Sequence, residues 1–225
     1  MLREADKIEM KLWEEERKKH DLKYPDESVV RYLHTNFKSG EGKSILDFGC
    51  GSGRNTMVMA DMKFRIYAVD YNDVCLALTR EKMERIHYED VVYLKNTRTD
   101  IPVDSGILDC IVAWGALFYC NTEDRHALFE ELNRVLKPGG VCFADFRTKE
   151  DTMYQQGTEV EKDLFILDDS AGNLAGINYW FCAEEEIQEL YRQHGFEIVN
   201  IEKKDFLTNN MQKKNSHYHV WAKKK

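Results

Sequence analysis

Ile45-Leu46-Asp47-Phe48-Gly49-Cys50-Gly51-Ser52-Gly53 is the stretch from which the rest of the chain is read. A short apolar run ends near an acid, and three glycines then alternate with small residues. A strand that runs into glycines and then into a helix marks a nucleotide cofactor site, because a residue without a Cβ lets a ligand approach the backbone closely. Ser44 to Phe48 is therefore predicted as a strand and Asn55 to Met62 as the helix after it. The next apolar run, Arg65 to Val69, ends at Asp70, 19 residues after Gly51, where an acid suits hydrogen bonding to ribose hydroxyls. Two strand ends converge on one ligand.

The spacing is G-x-G-x-G, whereas a nicotinamide dinucleotide fold favours G-x-G-x-x-G. Asp47 stands two residues before Gly49, where its carboxylate suits the positive end of a zwitterionic cofactor and would repel a pyrophosphate. A turn or capping role is the other reading of Asp47.

Outward from this turn, short apolar runs alternate with amphipathic stretches, the pattern of a parallel sheet covered by helices. Asn72 to Ile86 reads as a helix, Val91 to Lys95 as a strand, and Ile107 to Trp114 as a nearly all-apolar strand of the kind buried on both faces. Thr122 to Leu136 is helical, with a capped, acidic start at Asn121-Thr122-Glu123-Asp124, and Lys137-Pro138-Gly139-Gly140 stops it. Val141 to Phe146 makes a fifth strand. Thr148 to Asn178 is polar and less regular. Ala183 to His194 is a helix with Gly195 as its stop. Phe196 to Phe206 and Tyr218 to Ala222 complete the sheet as an antiparallel pair joined by a polar loop, Thr208 to Ser216. Before the first strand, Ala5 to His20 and the stretch after Tyr24-Pro25-Asp26-Glu27-Ser28 read as two accessory helices.

The expectation is an α/β three-layer sandwich with a seven-stranded, mostly parallel sheet, an antiparallel last strand and N-terminal helices. It is expected as a single domain over 1–225, with accessory helices in 1–42, the cofactor core in 43–147, an acceptor-side cap in 148–182 and the C-terminal helix and strands in 183–225.

Hydrophobic residues form 43% and charged residues 32% of the chain, which argues against long disorder. A net charge of -8 disfavours broad contact with nucleic-acid phosphates, so a nucleic-acid partner is not expected. The scattered cysteines Cys50, Cys75, Cys110, Cys120, Cys142 and Cys182 lack metal or redox spacing, which is the usage of a reduced, cytoplasmic compartment. The charged N-terminus does not read as a signal peptide, and no apolar run approaches a membrane span.

At this point the chain resembles a family, the class I S-adenosylmethionine-dependent methyltransferases. Ile45 to Gly53 is similar to their first motif and Tyr67-Ala68-Val69-Asp70 to their second. Ile101-Pro102-Val103-Asp104 with Leu108-Asp109-Cys110-Ile111-Val112 resembles the stretch through their fourth strand, and Arg134-Val135-Leu136-Lys137-Pro138-Gly139-Gly140 their turn into the fifth. Within the family, Gly53-Arg54-Asn55-Thr56 and the chain end resemble the small-molecule and tellurite-resistance type.

The resemblance implies S-adenosyl-L-methionine as cofactor. Asp47 and the glycines Gly49 and Gly51 would hold its methionine end, Asp70 its ribose, and residues around Thr97 and Arg98 its adenine, with Cys50 and Tyr71 also at the cofactor; many relatives carry an acid where Thr97 stands, which leaves backbone amides or neighbouring Asp100 as the alternative for adenine. Ala113 and Trp114 would line the cofactor and the acceptor's entrance. In-line methyl transfer to O, N or S of a small molecule needs no strong base. If a hydroxyl is the acceptor, Tyr119, His126, Asp145 and Arg147 are the candidates to assist. His126 also reads as an exposed helical residue, Tyr119 as pocket wall, and Asp145 with Arg147 as an ion pair. Trp13, Tyr24, Trp180 and Phe181 suit a lid or ordinary packing. His217 and His219 alternate with Tyr218 and Val220, so they face away from the side those residues take; with no third ligand, no metal is expected. A nicotinamide oxidoreductase, or a binding module without turnover, is the competing reading.

Overall fold

The computed structural model describes residues 10–16 and 21–225. Residues 10–16 are helical; the rest of the expected Ala5 to His20 helix lies outside the described residues. Helix α1 (Glu27–Asn36) starts at Asp26, whose side chain accepts from the Ser28 amide at 2.9 Å. It buries Val29, Tyr32 and Leu33 and leaves the intervening positions to solvent.

Strand β1 (Ser44–Phe48) is central, parallel to β2 (Arg65–Asp70) on one side and to β4 (Leu108–Ala113) on the other. Strand β3 (Val91–Lys95) extends the sheet beyond β2, and β5 (Leu136–Thr148) lies parallel to β4. The crossovers are helices α2 (Arg54–Asp61), α3 (Asp73–Arg85) and α4 (Thr122–Val135). Asn72 caps α3 and Asn121 caps α4 through side-chain oxygens that accept backbone amides, which fixes where each helix begins.

After helix α5 (Glu184–Gln193) come β9 (Phe196–Thr208) and β10 (Lys213–Lys224), a long antiparallel hairpin. Strand β10 inserts antiparallel beside β5, so the seven-stranded, mostly parallel sheet with its antiparallel last strand is present. A bulge at Trp221/Ala222 shifts the pairing with β9, where Trp221 faces Asn200 and Ala222 faces Ile198. The expected loop from Thr208 to Ser216 is shorter: Asn209, Asn210 and Met211 take positive φ in a tight turn, and pairing resumes at Lys213.

Two further expectations need correction. Lys137-Pro138-Gly139-Gly140 does not separate helix from strand, because Leu136 already pairs with Leu108 and the segment opens β5. Thr148 to Asn178 is only partly irregular. It holds β6 (Thr158–Glu161) and β7 (Leu164–Ile166), and after a 3-10 segment it leads to β8 (Asn178–Cys182). Strand β8 pairs with β5 only at Arg147 and Thr148, residues whose other edge meets β10, so the small antiparallel unit stands beyond the carboxyl end of β4.

Alternate residues along each strand feed opposite layers, as the period of two requires. Leu46, Ile111, Ala113, Ala144 and Phe146 pack with α4 and α5; Ile45, Cys110, Val112 and Phe143 pack with α1, α2 and α3. Phe143 stacks on Tyr32 with centroids 4.2 Å apart and on Trp114 at 5.0 Å. Because it joins β5, α1 and the end of β4, Phe143→Ala is expected to cost about 3–5 kcal/mol in denaturant unfolding, with the m-value unchanged.

Candidate functional site

A cleft opens at the carboxyl ends of β1, β2 and β4, where a parallel sheet reverses its strand order and leaves a crevice. It has two adjoining compartments that share Gly49, Gly51, Gly115 and Tyr119 as a common wall.

The first compartment follows from the glycine turn. Gly49, Gly51 and Gly53 have φ of 69°, 56° and 79°, a region L side chains rarely adopt. A Cβ on Gly49 would lie 3.0 Å from the Ala116 side chain, and one on Gly53 would lie 2.9 Å from Thr79 Oγ1. The Asp70 carboxylate accepts the Gly51 amide and the Asn72 amide, each at 2.9 Å, which binds the ends of β1 and β2 together. Lys82, largely buried, donates to the carbonyls of Ser52 (2.7 Å) and Leu22 (3.0 Å) and holds the segment entering α1 against the same turn.

Of the sequence candidates, Gly49, Gly51, Asp70, Tyr71, Thr97 and Arg98 line this compartment. Thr97 donates its amide to Asp100 Oδ1 at 2.6 Å, and Arg98 Nη1 donates to the Tyr119 carbonyl at 3.1 Å. Sequence reasoning missed Asn72 and Asn96, which line it too. Asn96 is buried and its Oδ1 has no partner among the described residues. Its place just past the end of β3 was the available signal. Trp13 closes the compartment edge-on to Tyr119 at 5.0 Å, whereas Tyr24 is 82% exposed and Trp180 and Phe181 sit in the core, so Trp13 alone of the four expected lid aromatics lies here.

Asp47 lines neither compartment. It lies beneath the turn, 2% exposed, and accepts from Thr56 Oγ1 at 2.5 Å. Burial chiefly, with the nearby Asp70 charge, pushes its pKa up to about 6 against the Thr56 hydrogen bond. Ala113 is likewise fully buried beneath the cleft. Cys50 and Trp114 line the second compartment.

That second compartment, a cavity of about 550 Å³ within the range of small-ligand sites, is assembled by strand register. His219 lies opposite Asp145 and His217 opposite Arg147 across β5 and β10, and Lys204 lies opposite His217 across β9 and β10. Cross-strand partners share a face, so these side chains all line the cavity, on the layer that packs α1. The expected Asp145 to Arg147 ion pair is not formed. His217 Nδ1 lies 3.2 Å from Asp145 Oδ2, and the Gly115 amide donates to Asp145 Oδ1 at 2.5 Å. Burial would raise the Asp145 carboxyl, but the His217 hydrogen bond and charge hold it below the usual carboxylate range.

Arg147 Nη1 donates to Asp151 at 2.7 Å, and its guanidinium lies over the rings of Phe118 and Tyr179 at 5.9 and 5.7 Å. Tyr119 meets Tyr179 hydroxyl to hydroxyl at 3.2 Å, and burial raises its pKa well above the ordinary phenol value. His126 is not brought here; its Nδ1 is 2.8 Å from His194 Nε2, on α4 beside the end of α5. His217 and His219 are the residues the sequence did not nominate. The alternation of Asp145-x-Arg147 with His217-x-His219 was the signal. Burial drives His219 down to about 4, so it is neutral at pH 7, and its Nδ1 has no partner among the described residues. Among those residues no cluster of three or more metal-ligating side chains occurs.

Residues 45–140 match the model of the methyltransferase domain. The chain is 19% identical to a SAM-dependent methyltransferase from Methanosarcina mazei over 86% of this chain and 96% of that one, with a TM-score of 0.73. It is 16% identical to TehB from Haemophilus influenzae over 93% and 65% of the two chains, with a TM-score of 0.67. The fold is that of the class I methyltransferases. A curated relative of the methyltransferase domain, phosphoethanolamine N-methyltransferase 1 of Zea mays, is 32% identical over 107 residues, 47% of this chain and 21% of that protein, so the match spans about a fifth of the maize protein. No helix among the described residues of this methyltransferase fold is long and apolar enough to cross a membrane.

The raised carboxyl beneath the turn has a consequence for stability. Below about pH 4 Asp47 is protonated in both folded and unfolded chains; between its ordinary value of 3.8 and about 6 only the folded chain holds the proton. Unfolding free energy therefore falls as pH rises through that window. Asp47→Asn, which keeps an acceptor for Thr56, is expected to stabilise the ligand-free protein on the order of 1–3 kcal/mol above pH 6 and to change nothing below pH 4, as read by thermal melts across pH.

Proposed function

We propose that the chain is an S-adenosylmethionine-dependent methyltransferase whose acceptor is a small molecule. The observation that carries the reading is the shared wall: a compartment built on the glycine turn and Asp70 adjoins a larger polar one, with Gly49, Gly51, Gly115 and Tyr119 between them. Donor and acceptor held on either side of that wall meet without crossing solvent.

The residues suit this cofactor. The turn admits a ligand where a Cβ on Gly49 would already crowd Ala116. Each Asp70 oxygen accepts one amide, which fixes the carboxylate on the wall of the first compartment, where an acid suits a ribose hydroxyl. The Asn96 carbonyl, buried without a partner among the described residues, suits an exocyclic amine of adenine. In this assignment Gly49, Cys50 and Gly51 hold the methionine end, Asp70 and Tyr71 the ribose, and Asn96, Thr97 and Arg98 the base. Asp47 acts from below as a buried negative charge that a cationic ligand would favour. When bound, the cofactor supplies a methyl group on a sulfonium. The chain's part is to hold the acceptor in line, and orientation of that kind is worth roughly 7–11 kcal/mol.

Trp114, Tyr119 and Arg147 belong to the acceptor side, under the cap formed by 148–182. The net charge of -8 and the small cavity favour a metabolite over a nucleic acid. The maize relative, named for phosphoethanolamine, supports a small acceptor.

S-adenosylhomocysteine at a hundredfold excess over its Kd is expected to stabilise the protein by about 2.7 kcal/mol, raising Tm by roughly 5–10 °C, while NAD leaves it unchanged. Asp70→Ala is expected to abolish the shift. A wild-type melt indifferent to S-adenosylhomocysteine overturns the reading.

A further inference from the structure

The acceptor compartment contains a histidine held by a buried carboxylate. Asp145, 3% exposed, uses Oδ1 for the Gly115 amide and Oδ2 for His217 Nδ1. With Nδ1 engaged, the proton on that nitrogen faces the carboxylate and Nε2 is left as the bare, basic atom. Nε2 makes no hydrogen bond among the described residues, and the ring lies parallel to the half-exposed Phe206, 8° between planes with centroids 6.4 Å apart. His217 lines the same cavity as Gly49, Gly51 and Gly115.

The structure assigns His217, oriented by Asp145, as the base that receives a proton from the acceptor during methyl transfer, and so identifies the acceptor as a hydroxyl compound whose O–H faces His217 Nε2. The assignment rests on the methyltransferase reading above. As the oxygen-to-methyl bond forms, the methyl-to-sulfur bond breaks and its electron pair stays on sulfur; the hydroxyl proton moves to Nε2, giving an imidazolium whose charge Asp145 neutralises.

The neighbours fit that task. The charged or titratable groups on the ring's face of the sheet are Asp145 and Arg147 from β5, Glu202 and Lys204 from β9, and His219 from its own strand, with ring centroids 6.3 Å apart; Asp26, Glu27 and Arg54 line the cavity from the helical layer. Arg147 and Lys204, directly opposite the ring in register, favour an oxygen that is gaining negative charge. Asp145 balances the imidazolium once the proton arrives. His219 is the alternative base on this strand, but it has no carboxylate hydrogen bond, and its ring packs edge-on to Trp114 at 4.6 Å.

Two measurements test the assignment. In ring nitrogen NMR spectra at pH 8, His217 is expected to carry its proton on Nδ1, and Asp145→Ala is expected to move the proton to Nε2. A ring that is doubly protonated, or is an Nε2–H tautomer in the wild type, overturns the proposal. Labelled methyl incorporation from S-adenosylmethionine is then followed over a panel of small hydroxyl, amine and thiol compounds. His217→Ala is expected to lower kcat for hydroxyl acceptors by about 10²–10⁴-fold and to leave the S-adenosylhomocysteine melting shift intact. Hydroxyl methylation undiminished in His217→Ala, or incorporation confined to thiols, overturns it. Loss of the wild-type melting shift would instead overturn the methyltransferase reading itself, so the two failures are distinguishable.

Discussion

One carboxylate closes the site. Asp70, at the end of β2, accepts an amide from the glycine turn after β1 and another from the residue that caps α3. Two loops that would otherwise carry unpaired buried amides are thereby locked in one arrangement, and each donor spared from water avoids a penalty of about 1–3 kcal/mol. The positive φ angles of the turn, the close approach of Gly53 to Thr79 and the seat of the first compartment all follow from that closure.

Charge is distributed unevenly around this closure. Asp47 is paired only with a hydroxyl and carries an elevated pKa, whereas Asp145 is paired with an amide and an imidazole and is held low. The first carboxylate has a single hydroxyl donor; the second is held by an amide and an imidazole nitrogen. The first lies under the proposed donor and the second beside the proposed acceptor, so the two compartments differ in what they lack.

The half of the site that was legible in the sequence is the half made by short-range neighbours. Gly49, Gly51, Asp70 and Tyr71 lie within 23 residues of one another and are joined by a single β-α-β crossover, so spacing alone placed them together. Strands β1 and β4 were legible because they are short, largely apolar runs buried on both faces. The acceptor half draws on β5, β9 and β10; β9 and β10 form a local hairpin, but the register of β10 against β5 joins residues 70 or more positions apart. Periodicity indicated that His217 and His219 share a face but not which layer that face meets. The cap was illegible because all four residues of β6 are exposed and give no alternation to read. Asp47 lies beneath the turn rather than on the cleft wall, because Thr56, in the first turn of the crossover helix, donates to its carboxylate, a contact the sequence does not reveal.

The bulge at Trp221/Ala222 has an evolutionary reading. An extra residue on β9, Val199, sets the phase in which Glu202 and Lys204 come to lie beside His219 and His217. Insertion or deletion of a single residue between that bulge and the hairpin tip would turn every following side chain of β9 to the opposite layer, replacing Glu202 and Lys204 beside the histidines with the neighbours that now face away. None of the residues around Asp70 would move. The charge lining the larger compartment can therefore diverge in this scaffold through changes in length, with the compartment around Asp70 inherited intact.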